Sequence, residues 1–185
     1  MDYTEIGPRR MVEVVDYDPT WPTQFAQERE SLAQAVPDAL AIEHIGSTSV
    51  PGLCAKPTFD ILVVVSSIDS FLAHEPSLIA LGYEQRDSFT EDEQHAFFRK
   101  VVDRRRTHHL HVLTQDSPRP AEYLLLRDYL RADASAAEEY AQVKWDLATE
   151  YATRRDRYVT VKSDYVTELM NKARAWQQHS DSALG

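Results

Sequence analysis

Over residues 1–116 the apolar positions gather in short runs rich in β-branched side chains, whereas beyond residue 117 they recur every three or four positions. The first pattern predicts strands and the second amphipathic helices. Residues 11–17, MVEVVDY, predict an edge strand. Asp18-Pro19-Thr20-Trp21-Pro22 predicts a turn into a helix, with Thr20 or Asp18 as its cap, and Phe25, Ala26, Leu32, Ala33 and Val36 then keep helical spacing until Pro37. Residues 40–45 and 59–65 predict two strands. The second ends in ILVVV, continuously apolar, as a strand covered on both faces reads. A helix over 68–81 follows, capped by Ser66 or Ser67, with Pro76 placed to break it and Gly82 to close it.

Residues 83–87 predict a short strand and residues 88–94 an acidic loop. The runs HAFFRKVVDR and THHLHVLT predict a hairpin that turns at Arg104-Arg105-Arg106. A linker with two prolines spans 115–120, and helices are predicted over 121–131, 135–153 and 158–176, with a frayed polar tail from 177. The expected architecture is α+β: a mixed β-sheet with flanking helices over residues 1–116, and a C-terminal helical bundle over 117–185 packed on it.

Composition narrows the function. With 43% apolar and 27% charged residues the 185-residue chain is of ordinary globular character. A net charge of −10 argues against general nucleic-acid binding and against an anionic membrane surface. Cys54 is the one cysteine, so no intrachain disulfide is available, and its apolar flanks suit packing better than nucleophilic chemistry. The sequence opens on no secretory signal and holds no apolar run near the ~20 residues of a membrane span, which points to the cytoplasm. Nothing in it sets an oligomeric state.

The candidate chemistry centres on residues 41–65, AIEHIGSTSVPGLCAKPTFDILVVV. A strand breaks at Gly46-Ser47-Thr48-Ser49, the chain passes Lys56, and a second strand begins beside Asp60. A glycine that admits close approach to backbone amides, three successive hydroxyls and a lysine are what a phosphate needs, and the carboxylate can hold a cation against it. Each feature taken singly is also an ordinary turn or cap. Their convergence in one strand-loop-strand unit, with two of the five glycines, favours function.

A second constellation is THHLHV. On a strand His109 and His111 share one face, and His108, Leu110 and Val112 the other. Two imidazoles so spaced can grip a metal, bind phosphate or shuttle protons. Arg104-Arg105-Arg106 reads either as a solvated turn or as a site for an acidic ligand.

The stretch HIGSTSVPGLCAKPTFDI resembles the signature of the GrpB family, whose fold resembles that of the nucleotidyltransferase superfamily. In that superfamily a Gly-Ser pair faces a triphosphate and two carboxylates on the next strand bind magnesium. The resemblance places Gly46 and Ser47 in the first role and Asp60 as the first carboxylate, but the second carboxylate position is Leu62. The family shows a similar His-x-His, which aligns His111 or His109 with a third carboxylate, and RDYLR and YVTVKSDY also resemble its pattern.

The resemblance implies a nucleotidyltransferase-like fold and a small-molecule nucleotide or phosphorylated metabolite as partner. It also implies a divalent metal, Mg or Mn before Zn, at Asp60, His109 and His111. Phosphates would be held by Gly46, Ser47, Thr48, Ser49, Lys56, Arg127, Arg131, Lys144, Tyr158 and Lys162. Tyr158 and Lys162 lie one helical turn apart. The implied activity is nucleotidyl transfer to a small acceptor. The alternatives are a non-catalytic nucleotide-binding or metabolite-binding module and a metal-dependent hydrolase built on Asp60, His109 and His111.

Overall fold

The structure, a computed structural model, describes residues 11–86 and 95–183. The predicted acidic loop at 88–94 and the polar residues before 11 lie outside the described residues. Helix α1 (Trp21–Ala35) starts where the Asp18 carboxylate accepts from the Thr20 amide at 2.8 Å and from its hydroxyl at 2.7 Å, with Pro22 in the first turn. Then come β1 (Ala41–Ile45), a 3₁₀ turn (Ser47–Ser49), β2 (Phe59–Val65), α2 (Ile68–Leu72) and α3 (Glu75–Ala80). Strands β3 (Tyr83–Arg86), β4 (His95–Val102) and β5 (Arg105–Thr114) precede helices α4 (Arg119–Ala132), α5 (Ala134–Glu150) and α6 (Arg155–Ala183).

Ser67 caps α2 by accepting from the Ser70 amide, and the segment read as one helix over 68–81 divides at residues 73–74, with Pro76 in the first turn of α3. Three expectations need correction. Residues 11–17 form no strand, because their one ladder partner is a loop: a single bridge joins Val15 to Ala55. The hairpin turns earlier than the arginine run suggested, at Asp103 and Arg104, whose φ values of 49° and 62° give the paired left-handed residues of a tight hairpin turn. Arg105 and Arg106 thus belong to β5. Finally, α6 continues through Ala183, past the residue where fraying was expected.

The sheet order is β1-β2-β5-β4-β3, with β2 and β5 parallel and the other pairs antiparallel. On one face Ile61, Val63, Val65, Leu110 and Val112 pack with Leu32, Phe71 and Leu78 of α1, α2 and α3. On the other, Ile45, Leu62 and Leu113 meet Tyr123 and Leu124 of α4. Both faces of β2 are therefore covered, as its unbroken apolar run required. Helices α4 to α6 share a cluster built on Tyr129, Tyr140, Leu169 and Ala173, into which the β1–β2 connection inserts Val50 and Leu53. The helical bundle is thereby fastened to the loop that carries the candidate chemistry.

The β4–β5 ladder contains one irregularity. Lys100 pairs with His108 but Val101 with Arg106, so Thr107 is passed over as a β-bulge, its hydroxyl donating to the Lys100 carbonyl at 3.3 Å. An extra residue reverses the in-and-out alternation beyond it. Arg106, opposite Val101, consequently lies on the same face as Arg99 and His109.

Candidate functional site

Strand register brings the site together. Asp60 pairs with Ile45 on one side and His109 on the other, so the end of β1, the start of β2 and the middle of β5 meet in one row. Paired residues project to the same face, and there the Asp60 Oδ1 accepts a hydrogen bond from His109 Nδ1 at 2.9 Å. A carboxylate can only accept, so Nδ1 carries the proton of this bond, and in the neutral ring Nε2 is the nitrogen with the lone pair. Burial by itself would raise the Asp60 carboxyl, but the hydrogen bond from His109 and the electrostatic influence of the two imidazoles and of Lys162 hold it below the usual carboxylate range. Both side chains remain partly accessible, 33% for Asp60 and 22% for His109.

Gly46 lies directly on this carboxylate. Its φ of 70° and ψ of −174° suit only glycine, and a β-carbon there would stand 2.5 Å from Asp60 Oδ2. In the following turn the Ser49 amide donates to the Gly46 carbonyl and the Val50 amide to that of Ser47. The amides of Ser47 and Thr48 are the ones that such a turn start cannot satisfy by itself. The structure thus unites Gly46, Ser47, Asp60 and His109.

Thr48 and Ser49 share the turn, but their hydroxyls are engaged within the protein. Thr48 is buried with its hydroxyl 2.9 Å from His44 Nε2, and Ser49 Oγ donates to the Gly46 carbonyl at 2.6 Å. His44 is itself stacked on Phe25 at 4.5 Å between ring centres, and burial lowers its pKa to about 4, so it serves the turn as a neutral ring. Arg131 donates twice to the Ser49 carbonyl, at 3.0 and 2.8 Å, and Arg127 bonds Glu43 at 2.8 Å and the His44 carbonyl at 3.2 Å. These two arginines clamp the turn from α4. The role of His44 was not legible in the sequence, where its only signal is its position four residues before Thr48.

The lysines divide. Lys144 is buried, donates to the Cys54 carbonyl and lies over the Tyr140 ring at 4.5 Å, and its pKa is lowered by burial to about 7. It holds the β1–β2 connection onto α5. Lys162 responds first to Tyr140 and, after the opposing effect of burial, to Asp60 and Tyr158, which keep its ammonium charged above the ordinary range. Tyr158 is buried beside it. Lys56 is exposed, yet the protein around its ammonium lowers its pKa to about 8, with Arg155 and Arg106 acting in the same direction and Asp60 against them.

His111 shares the face of His109 but not its bonding. Its ring sits 5.1 Å from Phe97 and 5.4 Å from Tyr123, centre to centre, and burial lowers its pKa to about 4. Its buried Nδ1 has no hydrogen-bond partner among the described residues. Among the described residues no three His, Cys, Asp or Glu side chains converge as metal ligands. In this geometry Asp60 and His109 are bonded to each other and His111 is enclosed in aromatic rings, so the three side chains do not converge on a common point. Leu62, at the second carboxylate position, is completely buried under α4.

A family model described as GrpB protein matches residues 11–172. The chain belongs to the GrpB family. This GrpB chain is 34% identical over 179 residues to the UPF0157 protein YqkA of Bacillus subtilis (strain 168), a match that covers 96% of the chain and 52% of YqkA, so it spans about half of that relative's length. The crystal structure of conserved protein GrpB from Enterococcus faecalis superimposes with a TM-score of 0.81 at 33% identity, covering 89% of this chain and 99% of that one. A Cid1 poly(U) polymerase structure with Mg 3'-dATP bound gives a TM-score of 0.50 at 22% identity over 70% of this chain and 42% of that one. The GrpB chain therefore has a nucleotidyltransferase-like α+β fold. No helix among its described residues is long and apolar enough to cross a membrane.

Proposed function

We propose that this GrpB protein binds a nucleoside triphosphate and transfers its nucleotidyl group to a small hydroxylated or phosphorylated acceptor. The observation that carries the reading is the Asp60–His109 hydrogen bond of 2.9 Å, made at the surface of the Gly46 turn. His109 Nε2 takes the proton of the acceptor hydroxyl as its oxygen bonds to the α-phosphorus and the bond from that phosphorus to pyrophosphate breaks. Asp60 fixes the tautomer and stabilises the imidazolium, which then returns its proton to solvent. The Ser47 hydroxyl and the amides at the start of the turn hold the phosphates, and Lys56 and Lys162 offset the charge of the leaving pyrophosphate.

A resident ion held jointly by Asp60, His109 and His111 does not fit this donor set. An Mg or Mn ion that accompanies the triphosphate belongs to the substrate, and Asp60 is the carboxylate available to it. The hydrolase alternative needs all three side chains as ligands, an arrangement that the Asp60–His109 bond and the enclosed His111 ring do not favour. The burial of Leu62 favours one second reading, a module that binds the nucleotide without turning it over.

The test is incubation of the full chain with labelled nucleoside triphosphates, Mg or Mn and pooled acceptors. Expected are pyrophosphate release and label transfer, both lost in His109→Ala and Asp60→Asn. Melting points that no nucleotide raises would refute both readings, because a ligand specific to the folded state must stabilise it. Stabilisation without release in any pool selects the binding module.

A further inference from the structure

Three cations from three separate elements act on one another beside the Asp60–His109 pair, and among the described residues none of them forms an ion pair. Lys56 comes from the β1–β2 connection, Arg106 from the start of β5 and Arg155 from the first residue of α6. The bulge at Thr107 turns Arg106 to the face of His109, and its carbonyl accepts from the Thr58 hydroxyl at 3.1 Å, which ties it to the segment carrying Lys56. Neighbouring arginines are neutralised: Arg99 pairs with Glu84 at 2.5 Å and Arg105 with Glu13 at 3.2 Å. Among the described residues Lys56, Arg106 and Arg155 form no ion pair; Asp60, which acts on Lys56, is already bonded to His109, and Glu84, which acts on Arg106, is already paired with Arg99 and Arg86. Arg155 also stands at the positive end of the 29-residue helix α6, where a cation is unfavourable.

This arrangement costs the folded protein stability. Burial first, and after it the charges of Arg155 and Arg106, lower the Lys56 pKa, and burial followed by the charge of Arg155 lowers that of Arg106. In a chain of net charge −10 acidic side chains are plentiful, yet the two that act on this cluster, Asp60 and Glu84, are each already bonded elsewhere, Asp60 to His109 and Glu84 to Arg99 and Arg86.

We propose that Lys56, Arg106 and Arg155 form an anion subsite that takes a phosphate or diphosphate group of the substrate, separate from the phosphates held at Gly46 and Ser47. It deepens the nucleotidyl-transfer reading by requiring a second phosphate position. That phosphate belongs either to the tail of the nucleotide or to a phosphorylated acceptor. Arginine suits the role, because its planar fork binds phosphate oxygens in pairs.

The experiment is calorimetric titration of the full chain with inorganic pyrophosphate at low ionic strength, where screening is weak. Wild type is expected to bind, and Arg106→Gln and Arg155→Gln each to weaken binding about tenfold or more. A second reading of the same variants guards against misfolding: in anion-free buffer Arg155→Gln is expected to melt higher than wild type, since it removes repulsion. Repeating the titration with a saturating non-hydrolysable nucleoside triphosphate distinguishes the sources. Exclusion of pyrophosphate assigns the subsite to the nucleotide tail, and simultaneous binding assigns it to a phosphorylated acceptor. Absence of pyrophosphate binding, binding unchanged in both variants, or a lower melting point for Arg155→Gln overturns the proposal. Because pyrophosphate alone is the probe, the subsite can stand if nucleotide binding fails.

Discussion

Gly46 and Asp60 are in direct contact: a β-carbon on residue 46 would come within 2.5 Å of the carboxylate oxygen and 3.0 Å of the Asp60 Cβ. The glycine is therefore required twice, for its backbone angles and for the room it leaves. Gly46→Ala is expected to cost about 1–3 kcal/mol from the backbone alone. It also drives the carboxylate away from His109. Urea unfolding measures the first effect and loss of the nucleotide-induced melting shift the second, and a variant with wild-type values of both would show that the contact does not matter.

Leu62 tests whether this protein retains a second carboxylate position in latent form. The residue is fully buried between Ile45, Leu113 and the α4 side chains Tyr123 and Leu124. Leu62→Asp places an unpaired charge there and is expected to destabilise by roughly 3 kcal/mol or more, whereas Leu62→Met costs less than about 1.5 kcal/mol. Denaturant midpoints check both, with fluorescence confirming the native fold. A folded Leu62→Asp protein that gains metal binding would contradict the packing described.

The turn depends on partners outside it. Thr48→Val keeps the shape of the side chain but leaves buried His44 Nε2 without its 2.9 Å partner, so a loss of about 1–3 kcal/mol is expected. His44→Phe in the same background should recover part of that loss, because it removes the stranded nitrogen. A double-mutant cycle by urea denaturation gives the coupling, and additive losses would mean that the pair does not support the turn.

Stability should fall on acidification before any carboxylate titrates. Burial lowers His44, His108 and His111 from 6.5 to about 4 each. Between those values the unfolded chain binds more protons than the folded one, so stability is complete above about pH 6.5, declines as the pH drops, and levels off near 4. An effect of about 1–3 kcal/mol per histidine is expected. On the alkaline side Lys144, lowered by burial from 10.5 to about 7, adds stability as the pH rises through that interval. Urea midpoints from pH 4.5 to 9 check both limbs. Flattening of the acid limb in His44→Phe, and of the alkaline limb in Lys144→Met, would assign them.

Much of the sheet was legible because its information is local. The run ILVVV announced a strand covered on both faces, and period-two alternation placed His109 and His111 together. The bond between Asp60 and His109 was not legible, since it follows from a parallel register between strands 49 positions apart. Residues 11–17 have the composition of a strand, but a strand needs an edge to pair with, and these meet a loop. The hydroxyls of Thr48 and Ser49 resembled ligands because sequence does not reveal which way a turn faces. Arg106 was read in a turn because a one-residue bulge cannot be counted without its partner strand.

The parallel pairing of β2 with β5 has a kinetic consequence. The β4–β5 hairpin can close through contacts between near neighbours, but the Asp60–His109 row forms only after the chain has travelled out through two helices and two strands and come back. Such distant closure is slow, because its entropy must be surrendered before any contact rewards it. On dilution from denaturant, the hairpin should therefore be ordered first and ligand recognition should be the last property to return.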